Sequence, residues 1–203
     1  MSGSAVRGSP SADTIGRVTA SVLVVVSGLA ASGKTTVGRL LSAGLSLPLI
    51  DKDDILEALF DTLGCADREQ RHRLSRASDE VLLRLAETSG RAVLVNWWDH
   101  ETAPARLASA ADRVVEVFCD CPVEEAAARF AARQRHPGHL DRLRTPEEHA
   151  AGIRRLRESY RGPLRIDGAP LVTVDTSGPV DADALLDAVR AHLAARDVMR
   201  REP

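Results

Sequence analysis

The sequence predicts an α/β fold: one five-stranded parallel sheet flanked by helices on both faces, with a small arginine-rich lid. Three observations carry this. Five short apolar segments rich in β-branched residues are separated by stretches of helical period. The first of them is a continuous apolar run, as a strand buried on both faces requires. It then enters a glycine-bounded turn that opens a helix.

In chain order, Val22 to Ser27 reads as the first strand and Gly33 to Leu45 as the first helix. Pro48 to Asp51 is a short second strand. Asp53 to Leu63 and Asp67 to Glu87 are helices. Ala92 to Asn96 is the third strand, Thr102 to Ala111 a helix, and Arg113 to Cys119 the fourth strand. Pro122 suits the first turn of a helix running to Gln134. Arg135 to Arg144 is a loop, and Pro146 to Tyr160 a helix. Leu171 to Val174 is the fifth strand, and Asp181 caps a last helix ending near Ala195. Strands alternating with helices imply a parallel sheet, whose ligands bind at the carboxyl ends of the strands. Residues 1–19, rich in Ser, Gly, Ala and Pro, are expected to be a disordered leader. Residues 20–195 form the domain, with its lid near 135–150, and 196–203 a frayed tail.

Composition narrows the function. Net charge is −2 over 203 residues, which gives the surface as a whole no drive toward nucleic acid. The run Val22 to Val26 is too short for a signal sequence, and no stretch approaches the roughly 20 apolar residues of a membrane span. A cytoplasmic protein is expected. The cysteines Cys65, Cys119 and Cys121 are too few and odd in number for a disulfide framework. Lys34 and Lys52 are the two lysines among 27 basic residues, and Asn96 is the one asparagine. Positions that keep such residues against that bias invite a functional reading.

Gly28-Leu29-Ala30-Ala31-Ser32-Gly33-Lys34-Thr35 fits the pattern G-x-x-x-x-G-K-[ST] without a gap, between a buried strand and an amphipathic helix. This is a P-loop, and the fold class becomes that of the P-loop NTPases. Gly28 and Gly33 permit close backbone approach. The amides from Ala30 through Ala31, Ser32 and Gly33 to Thr35 can form an anion nest, reinforced by the helix N-terminus. Lys34 is expected to reach the β- and γ-phosphates, Thr35 to ligate Mg²⁺, and Thr36 to face the α-phosphate.

Binding ATP does not say what ATP is used for. The Asn-Lys-x-Asp guanine reader of GTPases is missing, since Asn96 is followed by Trp97-Trp98-Asp99. A mechanical ring ATPase needs a longer chain and a helical lid domain. After the second strand stands Asp51-Lys52-Asp53-Asp54, at the carboxyl edge of what is read as the strand neighbouring the P-loop. A kinase needs one carboxylate there to take the proton of the attacking hydroxyl. Another of them is expected to cap the following helix.

Together these segments resemble the small P-loop kinases that include polynucleotide 5′-kinase, chloramphenicol phosphotransferase, zeta-toxin-type kinases, and gluconate and shikimate kinases. The resemblance runs over residues 22–195 and is strongest at Gly28 to Thr35, at Leu49 to Asp54 and near 129–144. It implies that Asp53, the first Asp of a basic-Asp-Asp triplet, is the general base. It also implies that Asp175-Thr176-Ser177-Gly178-Pro179 forms the adenine-side loop, with Thr176 a nucleotide contact. Residues 129–165 hold ten arginines against four acids, and the resemblance implies that lid arginines act on the phosphates. Arg133 and Arg135, beside Pro137-Gly138, are the candidates, and such arginines are worth about 10³ to 10⁵ in rate. The alternative for the arginines is a solvated helix face; Arg129 is left open between inward and outward.

Asn96-Trp97-Trp98-Asp99 follows the third strand on the same edge. A polar-aromatic cluster beside the γ-phosphate suits an organic acceptor, although one Trp is expected to pack under the next helix. The expected activity is transfer of the γ-phosphoryl group of ATP, with Mg²⁺, to a hydroxyl of a small molecule: an antibiotic, a sugar or a nucleoside-like compound. A polynucleotide or nucleotide-sugar kinase and a nucleotide-binding regulatory protein are the alternatives.

Overall fold

The computed structural model describes residues 21–140 and 144–199. The expected leader, Arg142 of the arginine-rich segment and the last residues of the tail lie outside them. The strands are β1 (Val22–Gly28), β2 (Leu49–Asp51), β3 (Arg91–Val95), β4 (Arg113–Asp120) and β5 (Leu171–Asp175). The helices are α1 (Lys34–Leu45), α2 (Lys52–Leu63), α3 (Arg68–Ser89), α4 (Ala103–Ser109), α5 (Val123–Ala132), α6 (Pro146–Glu158) and α7 (Ala182–Met199). All strand pairs are parallel, in the order β2-β3-β1-β4-β5.

That order corrects one expectation. β2 lies at the sheet edge, and β3 stands between it and the P-loop strand. Sequence adjacency does not fix strand order, and β1–α1–β2 here skips one position. The third strand therefore delivers Asn96 and Trp97 directly between the P-loop and the carboxylates that follow β2.

β1 is apolar throughout because it is covered twice. Successive side chains of a strand alternate faces. Leu23 and Val25 join Leu82, Leu94, Trp98 and Leu107 on the α3/α4 face. Val24 and Val26 join Val37, Leu41, Val117 and Val189 on the α1/α7 face. A smaller cluster of Leu29, Cys121, Ala126, Ala127 and Leu156 joins α5 and α6 to the foot of the P-loop.

One charged residue sits in the sheet interior. Glu116 on β4 is 1% exposed and stands in register with Val25. It accepts hydrogen bonds from Ser27 Oγ at 2.7 Å, Leu164 N at 2.7 Å and Arg165 N at 2.9 Å. It pins the segment leading into β5 against the sheet, including Arg165 at φ 57. Buried carboxylates persist only when matched by donors in this way.

Two helices differ usefully from expectation. α5 stops at Ala132, two residues before Gln134, and Arg133 turns to an extended conformation (φ −72, ψ 139). Arg133 and Arg135 thus stand on a loop rather than on a helix face. α7 continues to Met199, into the segment expected to fray.

Candidate active site

The P-loop is shaped by backbone conformations that most residues avoid. Gly33 precedes α1 at φ 92, Ala31 lies at φ 64 and Gly28 at φ 138. A Cβ on Gly28 would fall 2.8 Å from the Cys119 carbonyl oxygen and 2.8 Å from Ser32 Oγ, so glycine is needed for the approach to β4. No side chain caps α1, and its first turn carries no acid. Its leading amides and positive dipole end are thereby left to an anion. Ser32 Oγ is buried without a partner among the described residues. Such a cradle fits a polyphosphate.

Lys34 Nζ donates to the carbonyls of Gly28 (3.0 Å) and Leu29 (2.5 Å), folding back over the loop. Burial pushes its pKa down to about 8, against the pull of Cys119 and Asp53. Burial in turn raises the Cys119 thiol to about 12. Cys119 is therefore a neutral packing residue behind the loop.

Asp51 is the helix-capping carboxylate, because its Oδ1 accepts from Asp53 N at 3.0 Å at the start of α2. Its other oxygen accepts from Thr35 Oγ1 at 2.9 Å. It is 5% exposed, and burial raises its pKa while those hydrogen bonds oppose the rise. The Thr35–Asp51 pair is an oxygen donor set suited to a hard cation such as Mg²⁺. Sequence reasoning named Thr35 and did not name Asp51 as its companion. Among the described residues no cluster of three or more His, Cys, Asp or Glu side chains is arranged to hold a metal. Mg²⁺ at this pair would need its remaining oxygens from phosphate and water.

Asp53, free of the capping duty, lines a cavity of about 730 Å³ with Ala30, Ala31, Gly33, Lys34, Thr35 and Thr36. Arg133 and Arg135 come into the same cavity from the loop after α5, their guanidinium carbons 4.4 and 5.8 Å from the centre of the Phe130 ring. Asn96 and Trp97 line it from the end of β3. Asn96 Nδ2 donates to Asp79 at 2.9 Å, while Trp97 is 63% exposed.

Several expected residues lie elsewhere. Trp98 is 6% exposed and its indole N–H donates to the Val26 carbonyl at 2.9 Å, so it is the Trp that packs into the core and is not an acceptor contact. Asp99 accepts from Thr102 Oγ1 (2.8 Å), Thr102 N (2.8 Å) and Glu101 N (3.1 Å). These bonds, the Thr102 hydroxyl first, hold its pKa below the usual carboxylate range. It organises the turn into α4 and stays out of the cavity. Thr176 is also outside the cavity, 3% exposed, its hydroxyl donating to the Asp120 carbonyl at 3.1 Å. It stands behind Gly33 as a buttress, 3.7 Å from where a Cβ there would fall. Gly28 and Ser32 shape the loop from beneath.

Arg129, left open by the sequence, turns inward. Its guanidinium donates to the carbonyls of Thr176 and Ser177, both at 2.8 Å, and to Glu125 at 3.0 Å. It ties the loop after β5 to α5 while still lining the cavity.

The α3 wall of the cavity was not foreseen. α3 presents Arg71, Ser75 and Asp79 at spacing four, one face of a helix, with His72 beside them. Ser75 accepts from Lys52 Nζ at 2.7 Å. Burial lowers the Lys52 pKa, against the pull of Asp79 and Asp53. α6 adds Arg144 just before its start, then Gly152, Arg155 and Ser159. The i, i+4 polar stripe on α3 was the available signal.

With this geometry in place, the comparisons with known proteins fall into line. A family model described as an AAA domain matches residues 23–160. A shikimate kinase of Corynebacterium glutamicum is 28% identical over 161 residues, covering 73% of this chain and 94% of that protein. An adenylyl-sulfate kinase of Yersinia pestis is 27% identical over 162 residues, covering 75% of this chain and 73% of that one. The solved structure of a Chloroflexus aurantiacus protein assigned as a kinase superposes with a TM-score of 0.71 at 28% identity, over 87% of this chain and 98% of that chain. The chain belongs to this AAA-domain family and, within it, to the small P-loop kinases. It is an ATP-dependent phosphotransferase that acts on a small molecule.

Proposed function

We propose that the chain transfers the γ-phosphoryl group of ATP to a hydroxyl of a small, polar and anionic organic molecule held between Asp53 and α3. The observation that carries this is one cavity lined by the P-loop, by Asp53 and by the Arg71-Ser75-Asp79 face of α3. In this reading Lys34 leaves the Gly28 and Leu29 carbonyls and binds phosphate oxygens. Thr35 and Asp51 would hold Mg²⁺, whose charge would offset that of the phosphates. Asp53 orients the acceptor hydroxyl and takes its proton. Arg133 and Arg135 bind the charge that spreads over the transferring group.

Asn96 and Trp97 then face the acceptor, Asn96 held in place by Asp79. Five arginines of this wall and loop (Arg71, Arg133, Arg135, Arg144 and Arg155) favour an acceptor bearing negative charge. An open cavity bordered by an exposed Trp97 weighs against a purely regulatory nucleotide binder. No helix among the described residues is long and apolar enough to cross a membrane. Together with unpaired Cys65, Cys119 and Cys121, this suits the cytoplasm.

The test incubates the protein with ATP, Mg²⁺ and pooled hydroxylated metabolites, and looks by mass spectrometry for a product heavier by one phosphoryl group. Wild type is expected to yield one, and Asp53→Asn to lose about 10²- to 10⁴-fold in its rate. Full phosphotransfer by Asp53→Asn removes that residue from the role of base.

A further inference from the structure

The loop after α5 does not hang free. Its 3₁₀ turn Pro137–His139 lies on α2, the helix that begins beside Asp53. Three contacts seat it. His136 meets the Phe60 ring edge-on at 5.7 Å and places Nε2 3.2 Å from Asp61. Gly138 lies so close that an added Cβ would fall 3.0 Å from Phe60 Cβ and Cγ. His139, 2% exposed, places Nε2 3.1 Å from Glu57 Oε1.

Glu57 is one helical turn beyond Asp53, and His139 is four residues beyond Arg135. One buried pair thus joins the helix of the carboxylate to the segment of the arginines. We propose that His139 is a positioning residue whose imidazole, paired with Glu57, latches the Arg133–Arg135 segment to α2 and holds its guanidinium groups in register with Asp53. The proposal rests on the reading of Asp53 as the base and extends it to how base and clamp are kept together.

The ring's chemistry agrees with a latch. Nδ1 has no partner among the described residues and is fully buried. With Nε2–H donating to Glu57, Nδ1 is the bare lone pair, the cheaper of the two states to bury. Protonation would place an unsatisfied N–H there and add a second positive charge near Arg135. The groups around the ring are Glu57 and Asp53 from α2 and Arg135 from its own loop. Arg68, Arg71 and His72 border the adjoining cavity from α3, Arg144 from just before α6, and Glu148 and Arg155 from α6. Burial first, then Arg135, push the His139 pKa down, against Asp53 and Glu57. A depressed histidine pKa leaves the docked state at full strength above the ordinary range, about 6.5, and weakens it as pH falls.

The experiment compares His139→Ala, His139→Gln, Glu57→Ala and Gly138→Ala in the full chain. It reads amide hydrogen exchange at 138–140 and hydrolysis of Mg-ATP without acceptor. His139→Ala is expected to speed exchange there and to lower kcat, each about tenfold, with KM for ATP within about twofold. His139→Gln, which keeps a donor, recovers most of both. Adding Glu57→Ala to His139→Ala costs nothing more. Gly138→Ala lifts the turn while leaving both side chains of the pair chemically intact, and reproduces the exchange. Unchanged exchange or strictly additive His139 and Glu57 effects overturn the latch. If wild type hydrolyses no ATP, the phosphotransfer reading fails, and the exchange data still decide whether the latch exists.

Discussion

Glu116 in the middle of the sheet and Asp51 at its edge are both buried carboxylates, yet their partners differ in kind. Glu116 is closed: two backbone amides and one hydroxyl point at it, and all three belong to segments it holds in place. Asp51 has one oxygen on the cap of α2 and the other on Thr35, a hydroxyl at the mouth of an anion cradle. Its neighbour Lys34 is satisfied only by main-chain carbonyls of its own loop. A core matches its polar groups with permanent partners. A site matches them provisionally, so that a ligand can exchange for them at small cost.

The sharpest way to break this contrast is at Glu116. Glu116→Ala strands three donors at about 1–3 kcal/mol each, a loss of at least about 3 kcal/mol read by denaturant unfolding. Catalysis per folded molecule should stay unchanged. A silent Glu116→Ala would mean the interior network is no more committed than the site.

Next comes Lys34→Ala. It should lower ATP turnover by about 10²- to 10³-fold, as removal of one charge-stabilising donor does. Thermal stability should hold or rise, since a desolvated ammonium is removed. That pairing of a large kinetic loss with no stability loss is the inverse of the Glu116 result.

Protons test the same group more gently. Burial sets the Lys34 pKa at about 8 in the free protein, and phosphate binding must raise it. The protonated form binds the triphosphate, so ATP affinity should be flat below about pH 8. Above it, affinity falls by up to about tenfold per unit, measured by calorimetry at constant salt. For folding, the sign is opposite. A depressed lysine pKa makes the native state bind fewer protons between about 8 and 10.5, so this group's contribution to stability grows across that window.

The sheet and the cradle could be read in advance because both are local in sequence. Val22 to Gly28 and Gly28 to Thr35 carry their periods and glycines within a few residues. What depended on distant segments could not. Nothing near Asp51 reveals that Thr35 lies 2.9 Å away, or that β3 intervenes between β1 and β2. The α3 wall of Arg71, Ser75 and Asp79 becomes part of a site only because α3 packs against α2 and β3, at the border of the same cavity as the P-loop. Asp99 and Thr176 turn their side chains away from the cavity for a related reason. The end of a strand places a residue at the functional edge, but only the following turn decides whether its side chain faces the cavity or the backbone.

The two tryptophans give the smallest and most local form of the comparison. They are adjacent in sequence, and one belongs to each kind of environment. Trp98 is enclosed in the α3/α4 core with its N–H on the Val26 carbonyl, so Trp98→Phe should cost about 1 kcal/mol for the lost hydrogen bond and leave substrate binding alone. Trp97 is 63% exposed at the cavity margin, and Trp97→Ala should change stability by less than about 0.5 kcal/mol. Its effect should fall on KM for the acceptor, with KM for ATP untouched, because in the proposed arrangement the ring faces the acceptor. Were Trp97→Ala to move both constants alike, the ring would be serving the nucleotide. The acceptor would then have to be placed nearer α3 and α6 than to the end of β3.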